Sequence, residues 1–152
     1  MTERSPAAPA LLDVTVTRRT PQAAVPAYQT AGSAGFDLAA SEDVTIAPGQ
    51  VALVPTGLVI AVPPGHFLGI FARSSTPLKR GLLVANGVGV VDADYCGPDD
   101  EVKVQVLNFT AAPVTVRAGD RIAQGVVMPF VRAQFAEAEA SGPSRGGFGS
   151  TG

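Results

Sequence analysis

Gly57-Leu58-Val59-Ile60-Ala61-Val62 runs into Pro63-Pro64-Gly65, and His66-Phe67-Leu68-Gly69-Ile70-Phe71 follows at once. Two short apolar runs, rich in β-branched and aromatic residues, are parted by three residues that break regular structure. They read as two strands joined by a tight turn, and a hairpin around Pro63-Pro64-Gly65 is expected.

The same pattern extends in both directions. Leu12-Asp13-Val14-Thr15-Val16 alternates apolar and polar residues with period two. Val51-Ala52-Leu53-Val54 follows the turn signal Pro48-Gly49, and residues 82–84, 88–91, 102–107, 114–116 and 122–127 continue the series. Frequent turn signals, with 17 Gly and 13 Pro in the chain, indicate an all-β sandwich or barrel. Helix is expected in at most two places. One is a turn near Ser75 to Arg80; the other is the Ala/Glu segment 133–140, which reads equally as a strand passing into an extended arm. A small all-β domain has edge strands to hide, and trimers are one solution. The run Gly125-Val126-Val127-Met128-Pro129-Phe130 is either ordinary core or a surface that packs against symmetry mates.

At 152 residues and 46% hydrophobic content, the chain is most simply one domain with a real core. A net charge of −2 gives no electrostatic case for a stable nucleic acid partner or an anionic membrane. A phosphate-bearing ligand therefore has to be met by local arginine, backbone N–H groups and metal. The single cysteine, Cys96, excludes an internal disulfide framework and fits a reducing, cytoplasmic compartment. Residues 1–10 lack a charged segment followed by an apolar run, so no export signal is expected. No apolar stretch is long enough to span a bilayer. His66 has no Cys or His companion at metal-ligand spacing, and Cys96 has no matching His motif for a nucleophile.

Five stretches carry candidate chemistry, read as loops or strand ends. Ala34-Gly35-Phe36-Asp37-Leu38 places an acid after a glycine turn, ordinarily a capping or turn residue. Ala72-Arg73-Ser74-Ser75-Thr76 puts a guanidinium fork beside three hydroxyls, which suits phosphate oxygens but also suits a helix cap. Asn86-Gly87-Val88-Gly89-Val90-Val91-Asp92-Ala93-Asp94-Tyr95 opens on a hairpin signal and ends on two carboxylates beside an aromatic ring. One carboxylate can act as a general base on water, or the stretch can be a solvated turn. Gly119-Asp120-Arg121-Ile122-Ala123-Gln124 is a turn entering a strand, with Gln124 and Ala123 on opposite faces, and reads equally as a plain turn with an exposed Gln. Gly146-Gly147-Phe148-Gly149-Ser150-Thr151-Gly152 cannot order itself by burying apolar surface, yet its N–H groups and hydroxyls suit wrapping around phosphates.

In this order the five stretches resemble the five motifs of the trimeric dUTP diphosphatase (dUTPase) family, from about Pro26 to Gly152. Phe36 stands where Tyr is common. The resemblance implies a β jelly roll and a homotrimer whose three active sites are each assembled from all three subunits. It implies a mobile segment 1–10, a jelly-roll domain 11–140 and a flexible lid 141–152. The implied reaction is hydrolysis of dUTP to dUMP and pyrophosphate, which limits uracil incorporation into DNA and supplies dUMP for thymidylate synthesis.

By the same resemblance, Asp92 is the base on water, and Ser74 and Gln124 donate to the α- and β-phosphate oxygens. Arg73, Ser75, Gly149 and Ser150 belong to the substrate site. Asn86 and the backbone around Gly89 read the uracil edge, Tyr95 lies under the deoxyribose, and Phe148 stacks on uracil. Mg²⁺ is held mainly by the triphosphate and water, with no direct protein ligand and Asp37 in the water network beside it. Two departures stand out. Pro143 occupies the place of the family's terminal-motif arginine, five residues before the Phe, so Arg145 is expected to reach the γ-phosphate. The turn Cys96-Gly97-Pro98-Asp99-Asp100 is longer and more acidic than usual, and is expected to alter a surface hairpin only.

Two other readings compete. A dCTP deaminase shares the fold and the Arg-Ser-Ser element but needs a glutamate near Asp92, and Glu101 is far along the next strand. A non-enzymatic nucleotide- or protein-binding trimer has no need of a base opposite a phosphorus atom.

Overall fold

The computed structural model describes residues 11–149. The expectations on segment 1–10 and on Ser150 lie outside the described residues. Among the described residues, short apolar runs form ten strands, β1 (Thr15–Arg18), β2 (Phe36–Ala39), β3 (Val44–Ile46), β4 (Val51–Ala61), β5 (His66–Ala72), β6 (Leu82–Val84), β7 (Gly89–Val91), β8 (Val102–Asn108), β9 (Val114–Val116) and β10 (Arg121–Pro129). One short helix, α1 (Ser75–Arg80), lies where the helical turn was expected and stops at Gly81 in the left-handed conformation. Segment 133–140 has no regular structure and is exposed throughout. Among the described residues no helix is long and apolar enough to cross a membrane.

Two antiparallel four-stranded sheets face each other, in the orders β1-β4-β8-β6 and β2-β10-β5-β7, with the pair β3-β9 beside them. The result is a jelly-roll-like sandwich. Val54, Leu58, Ile60, Val102, Val104 and Val106 meet Leu38, Leu68, Ile70 and Ala123 in one core, all nearly or fully buried. Each buried Val, Leu or Ile side chain contributes roughly 1.5–3 kcal/mol through loss of apolar surface from water.

The expected hairpin at Pro63-Pro64-Gly65 does not form. β4 pairs with β1 and β8, while β5 pairs with β10 and β7, so the two strands belong to different sheets. Both edges of each strand are occupied elsewhere, and two successive prolines remove the donors that would start a ladder. The turn itself is real, closed by His66 N–H on the Pro63 carbonyl at 3.2 Å, but it carries the chain between layers. Asn86-Gly87 is corrected in the same way, because β6 and β7 also lie in different sheets. Gly87, at φ 72°, centres a turn in which Val88 N–H donates to the Asn86 carbonyl at 2.9 Å, a γ-turn that needs a positive φ. No described strand pairs with its successor in the chain.

Three smaller differences matter to the site. Phe36–Ala39, read as a loop, is a strand with Phe36 and Leu38 buried. Segments 51–54 and 57–62 merge into β4, whose register against β8 shifts between Pro55 and Leu58. The acidic turn after Tyr95 is more than a surface hairpin. Asp99 and Glu101 both bind Arg19, at 3.0 and 3.4 Å, and Glu101 accepts the Gly57 N–H at 2.8 Å. Asp99 and Glu101 thereby tie Arg19, just past β1, to the β4 irregularity.

Candidate active site

The outer face of sheet β2-β10-β5-β7 carries Asp37 and Gln124, with Arg73 just past the end of β5. Gln124 of β10 pairs with Asp37 of β2 on one side and Phe71 of β5 on the other. Arg73 leaves the end of β5, and its Nε meets Asp37 Oδ1 at 2.7 Å. Arg121 reaches the other oxygen of Asp37 at 3.1 Å. Asp37 therefore spans two guanidinium groups, with only 15% of its side chain exposed. Gln124 Nε2 donates to the Ala72 carbonyl at 3.0 Å. Its Oε1 lies against Gly35, where an added Cβ would stand 2.6 Å away. Any side chain at 35 would force that amide to move.

Ser74 is exposed, at the N-cap position of α1, and makes no side-chain cap bond. Ser75 receives Arg73 Nη1 at 3.4 Å. Around them Arg73, Ser75, Lys79, Arg80, Asp120 and Arg121 line a cleft of about 620 Å³. Four of these residues are cationic and one is acidic. Arg80 donates to the Asp120 carboxylate at 2.8 Å, as does the Arg117 N–H. That hydrogen bond from Arg80 is the main reason the Asp120 carboxyl lies below its ordinary value of 3.8. The cleft has the chemistry of an anion site.

Asp92 and Tyr95 stand elsewhere. Asp92 is exposed just past β7, and the Tyr95 N–H closes the turn on the Asp92 carbonyl at 3.1 Å. The Tyr95 hydroxyl donates to the Glu101 carbonyl at 3.3 Å. With Leu53, Val90, Val102 and Lys103 these residues line a second cleft, of about 310 Å³, a size within the range of small-molecule pockets. Asn86 is exposed at the γ-turn before β7, and Gly89 lies buried opposite Ile70.

The register of β5 separates the two clefts. Val91 pairs with Leu68, which brings Asp92 level with Phe67, six residues before Arg73. At about 3.3 Å per residue that separation is ~20 Å. Within one chain, a water held by Asp92 is far beyond hydrogen-bond reach of a phosphate held at Arg73 and Ser74.

Among the described residues, the C-terminal candidates Arg145, Phe148 and Gly149 line neither cleft. From Phe130 to Gly149 each residue is exposed, including Val131 at 96% and Phe135 at 93%. Phe148 has a positive φ of 51° and a fully exposed ring, and Arg145 and Gly149 are exposed beside it.

Sequence reasoning missed Arg121 and the Lys79-Arg80 pair. Two basic residues in a last helical turn ordinarily answer the helix dipole. Arg121, three positions before Gln124, falls on the opposite face in any period-two reading; an irregularity in β10 between Arg121 and Ala123 restores it to the same face.

Residues 21–152 match the dUTPase family. A deoxyuridine 5'-triphosphate nucleotidohydrolase of Anaeromyxobacter sp. (strain Fw109-5) is 47% identical over 140 residues, covering 90% of this chain and 93% of that protein. Its namesake from Lactococcus lactis subsp. lactis (strain IL1403) is 44% identical over 131 residues, covering 84% and 87%. Among solved structures, a dUTPase from Streptococcus mutans superposes with a TM-score of 0.73 at 36% identity, over 80% of this chain and 98% of that one. A Staphylococcus bacteriophage 80alpha dUTPase with dUPNHPP superposes with a TM-score of 0.81 over 92% and 98%, at 21% identity, a likeness of fold.

Proposed function

This chain belongs to the dUTPase family, hydrolases that convert dUTP to dUMP, and on that premise we propose a mechanism and an assembly for it. The chain works as a homotrimer in which the Asp92 cleft of one subunit faces the Arg73 cleft of another. The observation that carries this reading is the separation of the two clefts by the length of β5. Each cleft has half of what a nucleoside triphosphate needs, and a second copy brings the halves together. Two further features support it. Phe67, Phe71, Val126 and Met128 form a half-buried apolar stripe on the outer face of the sheet, in the run that reads as a contact between symmetry mates. The exposed arm 130–149 then finds cover, and a substrate, on a neighbour.

Asp92 orients a water and takes its proton during in-line attack on the α-phosphorus. Ser74 and the Gln124 amide meet the charge developing on the phosphate oxygens. Arg73, held by Asp37, and the cations around it attract the β- and γ-phosphates, with Arg145 of the arm closing on the γ-phosphate. Tyr95 fills the space a 2′-hydroxyl requires, and Asn86 with the backbone at Gly89 matches the uracil edge. A base of the wrong pattern leaves buried polar groups unpaired, which discriminates strongly. Phe148 stacks over the base, with Gly149 and Ser150 on the phosphates.

The donor set fits a magnesium ion that arrives on the substrate. Both Asp37 oxygens face arginines, and among the described residues no cluster of three acidic, His or Cys side chains offers a cage. Mg²⁺ keeps waters and phosphate oxygens in preference to an all-protein cage, and when bound it neutralises charge on the triphosphate. Asp37 acts on the surrounding water through the arginines it orients. The product supplies dUMP, uracil is kept out of DNA, and the single exposed cysteine suits a cytoplasmic setting.

The test is pyrophosphate release from dUTP, UTP, dCTP and dTTP, for the wild type and Asp92→Asn. Wild type is expected to prefer dUTP by at least about 10²-fold, or ~2.7 kcal/mol. Asp92→Asn is expected to lower dUTP turnover by roughly 10²- to 10⁴-fold. Equal turnover of the four nucleotides, or deamination of dCTP, overturns the reading.

A further inference from the structure

The segment before α1 and the start of β10 are stitched together where β10 is irregular. Against β2, Arg121 pairs with Ala39 and Ala123 with Leu38, so two steps on β10 oppose one step on β2. Ile122 is the extra residue. Against β5 the register begins only at Ala123, so Ile122 has no partner in either ladder. A bulge of this kind leaves backbone groups to be satisfied from outside the sheet.

Side chains of the 73–76 segment do so. Arg73 Nη1 donates to the Arg121 carbonyl at 3.3 Å. Thr76 Oγ1 donates to the Ile122 carbonyl at 3.0 Å. Thr76 and Ile122 are both fully buried, so no water replaces that hydroxyl. Gln124 returns a bond in the other direction, to Ala72. Three hydrogen bonds thus join residues 72–76 to residues 121–124. They link the stretch that carries Ser74 to the stretch that carries Gln124.

We infer that Thr76 is a positioning residue for the hydrolysis: its hydroxyl holds the Ile122 carbonyl and so fixes Ser74 and Gln124 relative to each other. The inference rests on the hydrolase reading above. The bulge sets which face Gln124 occupies, and the Thr76 bond sets how closely α1 approaches it. Thr76 touches no substrate. It acts through two donors whose placement matters most when charge develops on the phosphate.

The experiment compares Thr76→Val, which keeps the shape and removes the hydroxyl, with Thr76→Ser, which keeps the hydroxyl. Steady-state hydrolysis of dUTP is measured below the melting temperature of each. Thr76→Val is expected to lower kcat by on the order of 10- to 10²-fold, with KM little changed, since small misplacements of catalytic groups cost that much. Thr76→Ser restores kcat to near wild type. The side-chain amide resonances of Gln124 report placement without catalysis; they shift in Thr76→Val and return in Thr76→Ser. If Thr76→Val does not fold, Thr76→Ala against Thr76→Ser isolates the hydroxyl in the same way. Wild-type kcat in folded Thr76→Val, equal impairment of Thr76→Ser, or folding only when the hydroxyl is present overturns the inference. Failure of the wild type to hydrolyse dUTP tells against the hydrolase reading instead, and the amide resonances still decide whether Thr76 positions Gln124.

Discussion

At the Arg73 end of β5, Asp37 spans two arginines, Gln124 is seated on Ala72 and Gly35, and a cationic cleft stands ready. At the other end Asp92 and Tyr95 sit on an exposed turn, and the arm bearing Arg145 and Phe148 is exposed. The half proposed to hold phosphate is part of the folded sheet. Under the proposed assembly, the half that holds the base and the water is borne by an exposed, hydrogen-bonded turn and an exposed arm, outside the sheet. Residues of the first kind couple activity to stability, and residues of the second kind separate them.

The sharpest separation comes from the arm. Deleting residues 146–152 is expected to cut dUTP turnover by on the order of 10²-fold or more, the scale of losing phosphate-side donors. The melting temperature and sedimentation coefficient stay as in the full chain. A dissociated or unstable truncation breaks the comparison, because the arm then belongs to the scaffold.

An intermediate effect is expected in the organised half. Asp37→Asn leaves two guanidinium groups without their counter-charge and costs about 1–3 kcal/mol. The melting temperature falls by several degrees and KM for dUTP rises together with it. Thermal melts and steady-state kinetics on one preparation check both. An Asp37→Asn protein that loses turnover at unchanged melting temperature places Asp37 with the uncommitted residues.

The smallest effect is on the acid side of the stability profile. The Asp120 carboxyl is lowered chiefly by its hydrogen bond from Arg80. The Asp43 carboxyl is lowered chiefly by the Ala118 N–H, then by Arg117. A depressed folded value stabilises the protein above the ordinary value of 3.8, and that contribution is lost as pH falls through the folded value. Melting temperature therefore declines on acidification below about pH 4. Asp120→Asn shows a shallower decline, and an identical acid limb removes the Arg80–Asp120 pair from the organised half.

What could be read in the sequence follows the same division. Most strands were legible where apolar runs met Gly and Pro, although β3, just before Pro48-Gly49, was not read; β6 and β9 have the expected bounds, and α1 lies where a helical turn was expected. Pairing was not legible. Turn signals at Pro63-Pro64-Gly65 and Asn86-Gly87 report that the chain reverses, not which sheet receives it, and β2 is too short for its period to stand out. Candidate residues were legible as motifs of residue type. Their grouping was not: Arg121 joins Asp37 and Gln124 only through a bulge, which no period-two pattern contains. The distance from Asp92 to Arg73 depends on the β5–β7 register, a long-range pairing that local sequence does not encode.

That distance has a consequence for inheritance. Under the proposed assembly a site takes its base from one subunit and its phosphate donors from another. A chain defective only at Asp92 and a chain defective only at Ser74 are each inactive alone. Assembled together at random in equal amounts, they leave about a quarter of the sites with both functions intact, as subunit exchange in a symmetric trimer requires. Lesions at the two ends of β5 therefore complement each other, whereas two lesions at the same end do not.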